Sequence, residues 1–500
     1  MRLWGKYDII CIRVIHYALE DISMPIPAEI LAVERPKSTR VLYSFGRYLV
    51  VKRTSKRVNG RTVPVDLGTI GEIKDGKYIE IRKEPRRTKA GRAVDVKDYG
   101  EVALCNLVGK EIIEELKEVY DLPDATRIYV IALLRAAYHD IKNRDIQLAY
   151  DTSFASEMYP KVALSENTIS TFLETVGMEY SKISQFMRNR IEKFGGSNLV
   201  VDGMLKDCNS DTDIFSEFSR KGSKKGSKDL TLMYAYDPTT REPVAVKPYP
   251  GNMLDLTSVD DFLTEFHVKS GLLVMDKGFY GPNALKTIQG IEGLGYIIPL
   301  KQSSKLITDN EMDKEITSIL SEYKDAQILW KKKKIADNRF LYAFRNPKDA
   351  YDQEIGYLVR NRNKGTYSED KYLDKQSEFG LIVFESNMDL DPLEVYDAYA
   401  KRWEIEIMFN LYKNIVELNT TRVHGDYRVY ATEFINFLSV LISSKVKWLL
   451  SNTGIATKYS YKQVFHYLGK SKMARCGTER SWTPTKTVKY ISDLMKILGV

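Results

Sequence analysis

The stretch YAKRWEIEIMFNLYK, residues 399–413, decides how this chain reads. An α-helix turns roughly 100° per residue. With Tyr399 at zero, Arg402, Glu406 and Lys413 fall at roughly −60°, −20° and −40°, so all four share one narrow stripe. Met408, Leu411 and Ile415 form the opposite, core-directed face, and Glu404 points roughly 140° away from the stripe. A solvated helix scatters its charges over a wide arc. Here they are confined between apolar flanks, where a carboxylate, a guanidinium and an ammonium are costly to desolvate unless something uses them. An i,i+4 ion pair between Arg402 and Glu406 is the competing account of the same spacing.

Working outward, two further carboxylates stand where apolar runs end. NLVVDGML carries Asp202 after a buried-strand pattern and before Gly203, and GLLVMDKGF carries Asp276 before Lys277 and Gly278. An apolar strand that delivers an acid followed by glycine is a common way to present a carboxylate in an α/β site. Two such acids and Glu406 would supply hard oxygen ligands suited to Mg²⁺ or Mn²⁺. The five histidines (His16, His139, His267, His424 and His466) show no metal-ligand spacing, which speaks against zinc.

The flanking pattern divides the chain. Residues 1–106 read as β-rich and basic, with hairpin signals at Asn59-Gly60 and Asp75-Gly76. Residues 107–195 read as helical, either a small helical bundle or a DNA-reading module in which LSENTISTFLETVG (164–177) resembles a capped recognition helix. Strand and helix patterns then alternate over 196–302 and 376–450, giving an α/β core with a mixed sheet. A Lys-rich, β-leaning insertion fills 303–375, and 451–500 is a basic tail. Lys331 to Lys334 in the insertion read as a charged strand edge. Candidate DNA contacts are Lys221, Lys224 and Lys225 in RKGSKKGSKD, together with Lys56, Arg57, Arg86 and Arg87.

Composition sets outer limits. The 500 residues carry 75 Lys and Arg against 67 Asp and Glu, a net charge of +8, so a nucleic-acid surface must come from local clustering. Cys11, Cys105, Cys208 and Cys476 form no C-x-x-C pair, which fits a reducing compartment and neither a disulfide scaffold nor a structural zinc site. The opening residues lack a signal-peptide layout, and FINFLSVLISS (434–444) is too short to span a bilayer. The expectation is a cytoplasmic, nucleoid-associated protein with no membrane partner.

These motifs resemble the DDE-type insertion-sequence transposases of the insertion-sequence-four superfamily. The family signature Y-x2-R-x3-E-x6-K is matched at every spacing by Tyr399, Arg402, Glu406 and Lys413. VVDG around Asp202 and MDKGF around Asp276 match the first and second aspartate motifs in order, and PVAVKPYPGNMLD (243–255) resembles the segment between them. There are two departures: Met204 stands where members often have Thr, and Lys277 where they commonly have Arg, which keeps a cation but not a bidentate fork.

The resemblance implies a ribonuclease-H-like core with a β-rich insertion before the third acid. It implies Asp202, Asp276 and Glu406 as catalytic ligands of two Mg²⁺ ions, replaceable by Mn²⁺. Tyr399, Arg402, Lys413 and Lys277 would grip the DNA end, and Trp330 is a candidate aromatic for a flipped base. The implied partners are double-stranded DNA (terminal inverted repeats and target) and a second copy of the chain in a synaptic homodimer. Two other readings remain at this point: a DNA-binding protein that kept the fold without catalysis, and a metal-dependent nuclease without strand transfer.

Overall fold

The computed structural model describes residues 25–44, 46–58, 61–81, 94–194, 198–208, 210–219, 226–253, 255–320, 327–477 and 481–500. The chain forms two compact units, Met1–Ala93 and Val94–Val500. In the first, β1 (Thr39–Ser44), β2 (Arg47–Val58), β3 (Arg61–Lys74) and β4 (Lys77–Glu80) make an antiparallel meander around a small core of Val41, Val50 and Ile73. The Asp75-Gly76 turn has φ of 51° and 70°, the left-handed pair that the β3–β4 hairpin needs.

The second unit opens with β5 (Val94–Asp98) and is built on a nine-stranded mixed sheet. In chain order its strands are β6 (Asn198–Asp207), β7 (Asp229–Asp237), β8 (Glu242–Pro250), β9 (Gly271–Met275), β10 (Leu294–Pro299), β11 (Ser318–Ile319), β12 (Leu329–Ala336), β13 (Arg339–Arg345) and β14 (Leu381–Ser386). Their order across the sheet is β11-β12-β13-β14-β10-β9-β6-β7-β8. β6, β9 and β10 run parallel and every other neighbour is antiparallel. β7 and β10 are buried along their whole length, so they read as mostly apolar or aromatic runs, broken in β7 by Asp229, Thr231 and Asp237, and not as alternation.

Residues 303–375 were expected to be a β-rich insertion. Their strands β12 and β13 continue the main sheet through β14, and the segment holds more helix than strand among its described residues. The helical part is mainly Pro347–Asn363 and Glu369–Gln376, neither of which buries a residue. Exposed, charge-rich helices of this kind lack the apolar stripe from which periodicity reads a helix.

Helix α1 (Leu122–Ala137), α2 (Glu166–Met178) and the long α3 (Asp426–Asn452) pack together, and α3 also covers β8. The apolar stretch 434–444 lies inside α3, whose length and hydropathy would suit a membrane span but whose most apolar window is 72% buried in the protein. Approach is closest where Gly177 meets the first turn of α3. A Cβ there would lie 1.8 Å from the Tyr427 carbonyl oxygen. The segment read as a tail is also woven in: Lys472–Cys476 pairs antiparallel with Val94–Asp98, with Lys472 opposite Asp98.

One polar cluster lies inside this core. Lys206 of β6, at 1% side-chain exposure, donates to Glu433 Oε1 of α3 at 2.7 Å and to the Tyr412 hydroxyl at 2.8 Å. Tyr412 in turn donates to Glu433 Oε2 at 2.7 Å. Removing one partner of such a pair strands the other charge in a dry interior, at a cost of about 3–5 kcal/mol. Glu433→Gln should therefore shift urea unfolding to markedly lower concentration, and adding Lys206→Met should recover part of the loss. Equal loss in the single and double variants would show that the pair is not coupled.

Candidate active site

The site begins with strand register. β6 and β9 pair in parallel from Asn198↔Leu272 to Val201↔Met275. The next residue on each strand is an aspartate, so Asp202 and Asp276 leave adjacent parallel strands at the same level, about 4.8 Å apart in backbone spacing. β9 ends there and passes into a 3₁₀ turn, Lys277–Phe279. β6 does not end. It continues to Asp207, paired with β7 throughout. Asp202 thus marks the end of the parallel pairing, not the strand tip that its Asp-Gly sequence suggests.

The third acid arrives on the segment 399–413. It is not one regular helix: Pro392–Lys401 and Trp403–Asn410 are separated by a turn at Arg402, and Leu411–Ile415 forms a π-turn. The segment runs alongside β6 and is fastened to it twice. Arg402 Nη1 lies 3.7 Å from Asp202 Oδ2, and the Tyr412 hydroxyl meets Lys206 Nζ at 2.8 Å. Ten helical residues rise about 15 Å, and four strand residues span about 13 Å, so the two fastenings match in length.

Arg402 spans two acids. Besides Asp202, its Nη2 donates to Glu406 Oε1 at 2.9 Å, and its guanidinium sits 5.3 Å from the Tyr399 ring centre. Tyr399 packs against Phe384 at 4.5 Å between centroids. Burial pushes the Asp202 carboxyl up to about 6, with the Asp276 and Glu406 charges adding to the rise, while the Gly203 amide at 2.8 Å and Arg402 oppose it. Burial also raises the Tyr399 hydroxyl. For Arg402, burial works against the cation, but Tyr399, Glu406, Asp202 and Asp276 outweigh it and its pKa is raised. A cleft of about 840 Å³ opens beside these groups, lined by Asp276, Lys277, Lys301, Gln302, Tyr399 and Arg402.

Tyr399, Arg402, Glu406, Asp202 and Asp276 therefore meet, with Lys277 exposed at the cleft. Glu404 points away, as its position on the wheel requires, and lies 4.0 Å from Arg241. Lys413 is not with the acids. Its charged neighbours are Asp207 and Asp229, and burial lowers its pKa. Asp207 is five residues beyond Asp202, about 17 Å along the strand. Seven residues beyond Glu406, Lys413 lies about 10 Å further along the helix, and it is Tyr412 of the π-turn that reaches Lys206 of β6.

Trp330 is half-buried on β12 against the main core. Lys56 and Arg57 are exposed on β2 in the first unit. Lys221, Lys224, Lys225, Arg86 and Arg87 lie outside the described residues. Lys206 and Glu433 went unnoticed in the sequence, where 227 positions separate them and neither spacing nor motif connects them.

Residues 194–442 match the family model described as the transposase DDE domain. No curated protein matches the chain. Among solved structures, a piggyBac transposase synaptic complex with hairpin DNA is similar at 11% identity over 74% of this chain and 79% of that one, with a TM-score of 0.39. A Mos1 transposase paired-end complex with the left transposon end is similar at 8% identity over 31% and 58%, with a TM-score of 0.15. The identification rests on the family match. Residues 194–442 carry a transposase DDE domain. The protein is a DNA transposase, an enzyme that cleaves DNA and transfers the cut strand, and enzymes of this class use divalent metal ions.

The residues fit such an ion in charge and donor type. Asp202, Asp276 and Glu406 offer only oxygen, and with Arg402 they leave two uncompensated negative charges. Among the described residues, however, no three acidic, His or Cys side chains lie close enough together to hold a metal, because Arg402 occupies the space between Asp202 and Glu406.

The raised Asp202 pKa carries a sign. Its folded value of about 6 lies above the unfolded one, so the native state holds the proton more tightly, and stability falls as pH rises through the window from about 4 to about 6. The ceiling on this cost is about 3 kcal/mol. In the absence of metal, Asp202→Asn should therefore melt higher than wild type near neutral pH, with the gain vanishing below about pH 4. Calorimetry across pH checks this, and a variant less stable at every pH would show that burial does not govern Asp202.

Proposed function

We propose that the enzyme is a DDE transposase of the insertion-sequence-four superfamily with a ribonuclease-H-like core, acting on terminal inverted repeats. Asp202, Asp276 and Glu406 are its catalytic residues and hold two Mg²⁺ ions, for which Mn²⁺ can substitute. The observation that carries this reading is the parallel register of β6 and β9, which brings Asp202 and Asp276 side by side under the Glu406 helix. The exposed helices within 303–375 belong to the insertion between the second and third acids.

The chemistry needs charge stabilisation at both the entering and the leaving oxygen of a phosphodiester, and a pair of divalent ions supplies it when bound. The protein's own groups do the rest. Asp202 and Asp276 fix the site from a rigid sheet, and Glu406 closes it from the helix. Arg402 serves as a resident cation that holds Asp202 and Glu406 together, and with divalent ions on those carboxylates its guanidinium would be available to a DNA phosphate. Tyr399 keeps Arg402 in place through its ring face. Lys277, exposed at the cleft, meets the phosphate of the DNA end. Two copies of the chain would hold the two ends in one synaptic complex.

Cleavage of a duplex carrying the flanking inverted repeat should require Mg²⁺ or Mn²⁺ and should fall by at least about a thousandfold in Glu406→Gln, as expected when a metal-holding charge is lost but its shape is kept. Strand transfer of a pre-cleaved end should be lost in parallel. Cleavage by Glu406→Gln at the wild-type rate would remove Glu406 from the site. Cleavage without strand transfer in the wild type would make the enzyme a nuclease.

A further inference from the structure

A second site lies apart from the acids, among α1, α2, α3 and the loop 417–424. It is a cavity of about 470 Å³ whose walls include Arg135, Lys142, Arg422, Arg428 and Thr432. Arg135 is 4% exposed and is held in place by Asn436 Oδ1 at 2.8 Å and Asn143 Oδ1 at 2.9 Å. The acid nearest to it in charge is Glu433, which is already bonded to Lys206. The buried cluster therefore contains two cations and one carboxylate. A surplus positive charge inside a protein is costly unless an anion answers it.

The cavity wall points the same way. Thr432 is 6% exposed, and its Oγ1 has no hydrogen-bond partner among the described residues. Arg422 and Arg428 pair outward with Asp140 and Glu174. Lys142 makes no ion pair among the described residues. Of the two acids at the rim, Glu417 is taken up by Lys462 at 2.8 Å, and Glu166 sits exposed in the first turn of α2. The loop is tied to the strand that bears Asp202: Asp207 N donates to Asn419 O at 3.1 Å, and Thr421 N to Asp207 O at 2.9 Å. The cavity thus begins about 17 Å from Asp202 along β6, a distance of about five base-pair rises.

We infer that this cavity is a phosphate-binding site that holds the DNA backbone at a distance from the cleaved bond. The inference rests on the transposase reading and adds to it a second anchoring point on the same DNA. A backbone phosphate enters between Lys142 and Arg422, accepts from Thr432 Oγ1 and answers the surplus charge at Arg135.

The test measures the affinity of an end duplex by anisotropy over a range of salt. Each phosphate contact adds about 0.9 to the slope of log K against log salt. Lys142→Gln with Arg422→Gln, both at exposed positions, should lower the slope by about 0.9, the share of one phosphate. Thr432→Val should weaken binding at least about tenfold, the worth of one hydrogen bond to a charged acceptor. An unchanged slope in the cavity variants overturns the inference. Melting shifts with inorganic phosphate or a deoxynucleoside monophosphate separate the two sources of phosphate: a shift lost in Thr432→Val while the slope stays unchanged would assign the cavity to a free phosphate ester and overturn the DNA assignment. Failure of wild-type cleavage would count against the transposase reading alone, because the slope is read without it.

Discussion

The arrangement depends on one constraint, the parallel pairing of β6 and β9. Parallel strands joined in this register carry their next residues forward together, and in this chain both next residues are aspartates. Two like charges held so close in a half-dry setting repel each other and resist burial. The protein accepts this cost because the sheet on either side is apolar and continuous, with β7 and β10 buried along their lengths. Arg402 then offsets part of it by reaching from the helix to Asp202 and Glu406. The acids are thus poised but undercompensated, the state expected of a site awaiting a more strongly charged partner.

β6 organises more than the acids. Along one face it carries Asp202, Met204 and Lys206, and each meets something different: the Arg402 guanidinium, the apolar core, and the Glu433–Tyr412 pair. The segment 399–413 is therefore held by charge at both ends and by packing between, as sites requiring fixed geometry are. The π-turn at Leu411–Ile415 is part of the same solution, since it turns Tyr412 inward to reach Lys206. The next residue, Lys413, has Asp207 and Asp229 as its charged neighbours.

Much of the site was legible because it rests on local pattern. Asp202 and Asp276 follow apolar runs that any buried strand would show, and Tyr399, Arg402 and Glu406 fall on one stripe by helical arithmetic. Glu404 was excluded by the same arithmetic and does point elsewhere. What could not be read depends on distant partners. Lys413 falls on the same stripe about two turns beyond Glu406, but its neighbours Asp207 and Asp229 are set by tertiary packing. The strands at 329–345 looked like a separate insertion because their pairing with β14 is decided by tertiary contact alone. The Lys206–Glu433 pair and the Arg135 cavity bring together residues hundreds of positions apart.

The pairing of Val94–Asp98 with Lys472–Cys476 has a consequence for biosynthesis. Its partners lie 374 positions apart, so the first strand of the second unit must wait for nearly the whole polypeptide to leave the ribosome. At about 5–20 residues per second, that delay is on the order of 20–75 seconds. During it the helices from residue 100 onward can collapse locally, but their closing strand is missing. A nascent chain whose synthesis is interrupted is thus left with an open edge where Lys472–Cys476 should pair, and only a chain translated past residue 476 can close it.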